Sequence, residues 1–140
     1  LGAAIGAKVS HPDKVVLHMT GDGSFRMNLN ELHTVATYRL PIITVIFDNR
    51  TLGMVRQWQT LIYDQHYMAT DIGVDLDYVK LAEAYGLSGR KVTNQADFED
   101  ALKEALACGH GYIIDCAIDI DEMVRPMVGG GSPITDFLAI

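Results

Sequence analysis

Apolar positions along the chain fall into short continuous runs separated by stretches of helical period, which is the pattern of parallel βαβ units. Four runs read as strands. Lys14 to Met19 is short and β-branched, with His-Pro-Asp before it and Gly-Asp-Gly after it. Ile42 to Phe47 is apolar on both faces, as a central parallel strand is. Tyr112 to Ile118 has the same character, and Arg90 to Thr93 is the weakest of the set. Between the first two strands, Ser24 to Tyr38 places Phe25, Leu29, Leu32 and Val35 three or four residues apart, predicting a helix capped by Ser24 and closed off by Pro41. Asp77 to Tyr85 and Ala96 to Ala107 predict two later helices. The second carries Phe98, Ala101, Leu102, Ala105 and Leu106 on one face, Asn94 as its cap and Gly109 past its end. Leu1 to Lys8 reads as a helix of small residues. The expected fold is therefore α/β, a parallel sheet with helices on both faces.

At 140 residues the chain predicts one domain, and 49% hydrophobic against 21% charged residues suits a globular protein. The net charge of −7 argues against a nucleic-acid or anionic-membrane surface. It leaves room for a local phosphate site, because backbone N–H groups and a metal hold phosphate without a basic patch. No uninterrupted apolar stretch approaches the ~20 residues of a membrane span, no signal-peptide pattern opens the chain, and a cytoplasmic location is expected. Cys108 and Cys116 form no C-x-x-C pair, and Cys116, inside an apolar run, reads as a small buried hydrophobe. Gly129-Gly130-Gly131 divides residues 1–128 from a Gly-rich tail, 129–140. The opening residues lack Met and start inside a helical pattern, so a piece of a longer polypeptide is expected.

The chemistry concentrates between Thr20 and Gln59. A strand ends, Gly21-Asp22-Gly23-Ser24 turns the chain, and a helix begins, at the sheet edge where open α/β folds bind ligands. Glycines let a ligand approach the backbone, and the N–H groups of Gly23 and Ser24 at a helix start favour an anion. The Asp22 carboxylate would repel a bare phosphate, so the turn calls for a bridging cation. The second strand delivers Asp48-Asn49-Arg50-Thr51-Leu52-Gly53 to the same edge. Asp22, the Asn49 amide oxygen and one backbone oxygen would give Mg²⁺ the protein's share of its shell, phosphate and water completing it. Each loop by itself is ordinary turn chemistry, and Asp22 alone also suits a phosphatase or receiver-type site. The two together, one helix and one strand apart, are far more specific.

Gly21-Asp22-Gly23 followed by Asp48-Asn49 resembles the G-D-G…N-N motif of thiamine-diphosphate enzymes, with Asp48 in place of the usual first Asn. Gly53-Met54-Val55-Arg56-Gln57-Trp58-Gln59 and Leu81-Ala82-Glu83-Ala84-Tyr85-Gly86 are similar to the large catalytic subunit of acetolactate synthase, and the resemblance runs from Leu1 to about Val128. It implies that Asp22 and Asn49 bind Mg²⁺ by side chain and Thr51 by its carbonyl. It places Gly21, Gly23 and Ser24 along the diphosphate, Leu52, Gly53 and Met54 beside the cofactor, and Val55 and Trp58 in the substrate pocket. Trp58 would favour 2-ketobutyrate over pyruvate as second substrate. The implied reaction decarboxylates pyruvate and joins the product to a second 2-keto acid, in branched-chain amino acid biosynthesis. The resemblance also implies FAD in the complete enzyme, a homo-oligomer (dimer or tetramer) and a regulatory small subunit. The Glu that starts proton transfer belongs to another domain of a neighbouring subunit, so no catalytic residue is expected here and the isolated chain is expected to be inactive.

Without that resemblance, Met54 and Trp58 at helical spacing would read as core packing. The five histidines form no cluster, and Glu31, mid-helix, carries no assigned chemistry. Two other functions stay open from sequence: another thiamine-dependent 2-keto-acid enzyme of the pyruvate oxidase or decarboxylase type, and a non-catalytic α/β binding module.

Overall fold

The computed structural model describes residues 1–138. Its centre is a four-stranded sheet of β1 (Val16–Gly21), β2 (Ile42–Asp48), β3 (Ser88–Val92) and β4 (Tyr112–Ala117), in the order β1-β2-β4-β3 and parallel throughout. β2 and β4 lie in the middle because their sequences are apolar on both faces. Ile42, Ile43, Val45, Ile46, Ile113 and Ile114 are all buried. The edge strand β1 alternates more, and its Leu17 and Met19 stay exposed.

Helices cover both faces. On one, α1 (Gly2–Ser10), α2 (Asp22–Arg26), α3 (Leu32–Thr37) and α5 (Tyr78–Ala84) pack Ala4, Phe25, Leu32, Val35, Tyr78 and Ala82 against Ile42, Ile46 and Ile113. On the other, α6 (Gln95–Cys108) lays Phe98, Ala101, Leu102 and Ala105 over Val45, Ile114 and Cys116. The remaining helix, α4 (Gly53–Ile62), starts at the end of the β2 loop. Among the described residues no helix is long and apolar enough to cross a membrane.

Caps follow the side chains that can make them. Asp77 accepts from the Lys80 N–H at 3.0 Å, Asn94 accepts from the Asp97 N–H at 3.0 Å, and Gly109 takes the left-handed conformation past α6. The expected Ser24 to Tyr38 helix is corrected by the structure. Its cap is Gly21, not Ser24, so the helix starts three residues early, at Asp22, whose side chain accepts from the Gly23 N–H. It then breaks at Asn28, whose backbone (φ −145°, ψ 31°) leaves the helical region, and resumes through a 3₁₀ turn, Leu29–Glu31, into α3. β1 begins at Val16 and runs to Gly21, and β3 begins at Ser88, so both expected strands are shifted rather than misplaced. The Gly-rich segment doubles back: Val128 bridges Phe137, and the Leu138 N–H donates to Met127. The last two residues of the expected tail lie outside the described residues.

Candidate functional site

β1 and β2 end side by side, with Gly21 in register with Phe47, so the two loops that follow them meet. Asp22 joins them. Its carboxylate is 2% exposed, and one oxygen accepts from the Gly23 N–H at 2.8 Å while the other accepts from the Arg50 N–H at 2.8 Å. Burial pushes the Asp22 carboxyl above its ordinary range, and the Asp48 carboxylate beside it pushes the same way; the two N–H donors pull it back. A divalent cation at this oxygen pair would reverse the penalty. The lone pairs left on Asp22, with the Asn49 amide oxygen, form the hard-oxygen donor set that Mg²⁺ takes, so the residues fit the ion.

The second loop is held in place by its own contacts. Asn49 Oδ1 accepts from the Thr51 N–H at 3.2 Å, the Thr51 hydroxyl donates to the Thr70 carbonyl at 2.9 Å, and the Leu52 N–H donates to the same carbonyl at 2.8 Å. Two glycines sit at close approaches here. A Cβ on Gly53 would stand 2.7 Å from Asn49 Nδ2, and one on Gly23 would stand 3.1 Å from Leu52 Cδ2. Arg26 ties the end of α2 to α5 and the segment before it, donating to the Tyr78 hydroxyl at 3.1 Å and to the carbonyls of Ile72 and Val74 at 3.0 and 2.7 Å.

A row of ionisable groups, one per strand, runs across the sheet beneath the loops. Asp22 follows β1, Asp48 ends β2, Asp115 sits in β4 and Lys91 in β3. The Lys91 ammonium lies 3.6 Å from Asp48 and 3.3 Å from Asp115, both carboxylates being at most 2% exposed. One oxygen of each has no hydrogen-bond partner among the described residues. Burial pushes Asp115 up to about 6, with Lys91 opposing and Asp48 adding to the shift.

A cleft of about 490 Å³ opens over the loops. Gly21, Asp22, Gly23 and Ser24 line one end, and Asn49, Thr51, Leu52, Gly53, Met54 and Val55 line the middle. Ile118, Glu122, Met123 and Val124 close the other side. The structure thus brings together every site residue read from the sequence except Trp58, which sits half-buried on α4 and is not among the lining residues. The Gly23 N–H, expected to face an anion, is taken by Asp22 instead. Glu31 accepts from the Thr34 hydroxyl at 3.1 Å, a local helix contact. Cys116 is buried and its thiol is pushed up to about 11, as suits a packed hydrophobe. No His, Cys, Asp and Glu cluster with metal-holding geometry occurs among the described residues.

Sequence reading missed three features: the Asp48–Lys91–Asp115 row, Gln57, and the wall at Glu122 to Val124. A charged residue inside the apolar run of β4 was the available signal for the first. The other two depend on the chain returning to α4 from more than sixty residues away, and no local pattern encodes that.

A parallel α/β sheet with its cleft outside the carboxyl ends of two adjacent strands defines a ligand-binding domain of the open α/β class. Residues 1–116 match the family model described as "Thiamine pyrophosphate enzyme, C-terminal TPP binding domain", and the chain belongs to that family. It is 45% identical over 136 residues to the probable acetolactate synthase large subunit of Methanococcus aeolicus, covering 97% of this chain and 22% of that protein. It is 40% identical over 138 residues to the acetolactate synthase isozyme 2 large subunit of Escherichia coli K12, covering 99% of this chain and 25% of the relative. Among solved structures, a thiamine diphosphate-dependent 4-hydroxybenzoylformate decarboxylase from Rhodococcus jostii RHA1 superposes with a TM-score of 0.79 at 33% identity, over 88% of this chain and 23% of the other. The chain spans about a quarter of the length of these relatives.

Proposed function

We propose that this chain is the diphosphate- and metal-holding part of an acetolactate synthase large subunit. The observation that carries the reading is the buried Asp22 carboxylate, bonded to both sheet-edge loops within one cleft. Asp22 and Asn49 by side chain and Thr51 by its carbonyl would hold Mg²⁺. The ion and the Gly21 to Ser24 turn would hold the diphosphate of the cofactor, with Leu52, Gly53 and Met54 along its length. Bound there, thiamine diphosphate supplies the electron sink for decarboxylating a 2-keto acid. The chain's own residues bind, orient and exclude water, and none of them is assigned the first proton transfer. FAD, a regulatory subunit, assembly into a dimer or tetramer and a cytoplasmic setting belong to the same proposal, as what the family resemblance implies.

The solved decarboxylase neighbour favours one competing reading, a simple 2-keto-acid decarboxylase. Product analysis separates the two. The complete polypeptide, supplied with pyruvate, Mg²⁺, thiamine diphosphate and FAD, is expected to form acetolactate, read as acetoin after acid treatment, with strict dependence on both Mg²⁺ and thiamine diphosphate. Acetaldehyde as the sole product would select the decarboxylase instead.

A further inference from the structure

On α4, Gln57 is 3% exposed although it is a primary amide on a helix next to an open cleft. Its side chain pairs with a single distant residue as a neighbouring strand would. Nε2 donates to the Val124 carbonyl at 3.0 Å, and Oε1 accepts from the Val124 N–H at 2.9 Å. Nε2 also lies 3.0 Å from the sulfur of Met127, itself buried. Only an amide side chain can donate to and accept from one backbone unit in this way. The adjacent Arg56 holds the same segment from outside, through Asp121 at 2.7 Å, with its guanidinium 3.9 Å from the Tyr67 ring centroid. Segment and helix line the same cleft: Glu122, Met123 and Val124 line it together with Met54, Val55 and Gln57, and Met54, Val55 and Val124 keep apolar surface exposed.

We propose that Gln57 is a positioning residue that fixes the Met123–Val124 wall of the cleft that Val55 also lines, and thereby sets how large a 2-keto-acid side chain the cleft accepts. The inference rests on the proposed function and deepens it. The proposed metal and diphosphate ligands precede α4, whereas the clamp bears on the Glu122–Val124 segment. Removing the amide leaves the Val124 N–H and carbonyl without their partner, and the wall is then free to move away from Val55.

The test uses the complete polypeptide with three variants. Gln57→Leu removes both bonds, Gln57→Glu keeps the acceptor but loses the donor, and Val124→Ala trims the wall while leaving the clamp. Hydrogen exchange at the Val124 amide is expected to be slow in the parental protein and Val124→Ala, and fast in Gln57→Leu. Gln57→Glu is expected to raise the KM for 2-keto acid about tenfold, the equivalent of one lost hydrogen bond, and Gln57→Leu by more than that. Thiamine diphosphate affinity, measured by equilibrium binding at fixed Mg²⁺, should stay within about twofold. Val124→Ala should shift the product ratio toward the larger acceptor when pyruvate and 2-ketobutyrate compete. Equal losses of cofactor affinity and KM, or an unchanged ratio in Val124→Ala, would overturn the assignment. A parental protein that forms no acetolactate would sink the proposed function, while exchange at Val124 would still decide whether the clamp exists.

Discussion

Asp22→Ala in the complete polypeptide is expected to lower thiamine diphosphate affinity at limiting Mg²⁺ by at least ~100-fold, because two bonds to a charged acceptor and one metal ligand vanish together. The loss has two parts. The Gly21 to Ser24 turn and the Asn49 to Thr51 loop are tied by that one carboxylate, through the N–H groups of Gly23 and Arg50. Without it the remaining donors are no longer held at one point, and the diphosphate loses its bridging ion. Asp22→Asn should retain the loop geometry in part, since an amide oxygen still accepts one N–H, but not the charge that draws the cation. Equilibrium binding at saturating and limiting Mg²⁺ checks this, and parental affinity in Asp22→Ala would show that the ion sits elsewhere.

Lys91→Met should have the next largest effect, on the fold rather than on binding. Its ammonium is the cation placed between the buried carboxylates of Asp48 and Asp115. Removing one partner of a fully buried pair costs several kcal/mol; because Lys91 is half-exposed and screened by water, about 2 kcal/mol is expected at neutral pH. The loss depends on pH in a defined direction. Burial raises Asp115 from 3.8 to about 6 in the folded chain, so folding takes up a proton between those values. The stability that comes with this proton is complete below pH 4 and is lost as the pH rises through 6. Asp115 is neutral at the acid end of that window and needs no counter-ion there, so the Lys91→Met penalty should be greatest above pH 6 and shrink toward pH 4. Thermal unfolding of the chelator-treated protein at pH 5 and pH 7.5 reads the difference. A penalty that does not change with pH would mean that Lys91 acts by packing alone.

How far the sequence discloses this molecule depends on whether a feature is local. The central strands are legible because Ile42 to Phe47 and Tyr112 to Ile118 are apolar on both faces, and Asn94 and Asp77 announce their helices by cap chemistry. The start of α2 is not legible. Ser24 satisfies the capping rule, but Asp22 takes the Gly23 N–H and also reaches across to Arg50, so a tertiary bond moves a local boundary. In the site, the spacing of the two loops signals a shared ligand, and the structure places both on one cleft. The substrate end is a different matter. Val55 faces the cleft, whereas Trp58, one position beyond Gln57 on α4, does not line it. Met123 and Val124 line the same cleft as Val55, which nothing near Met54 to Trp58 in sequence could reveal.

Whether the two loops share one metal-bridged diphosphate is measured most directly by a crystal structure of the complete polypeptide with thiamine diphosphate and Mn²⁺ in place of Mg²⁺. An anomalous peak is expected within metal-oxygen bonding distance of Asp22, the Asn49 amide oxygen and the Thr51 carbonyl, with the diphosphate on its open side between Gly23 and Gly53. A diphosphate bound in the cleft with the metal peak away from Asp22, or a cofactor bound elsewhere on the protein, would contradict it.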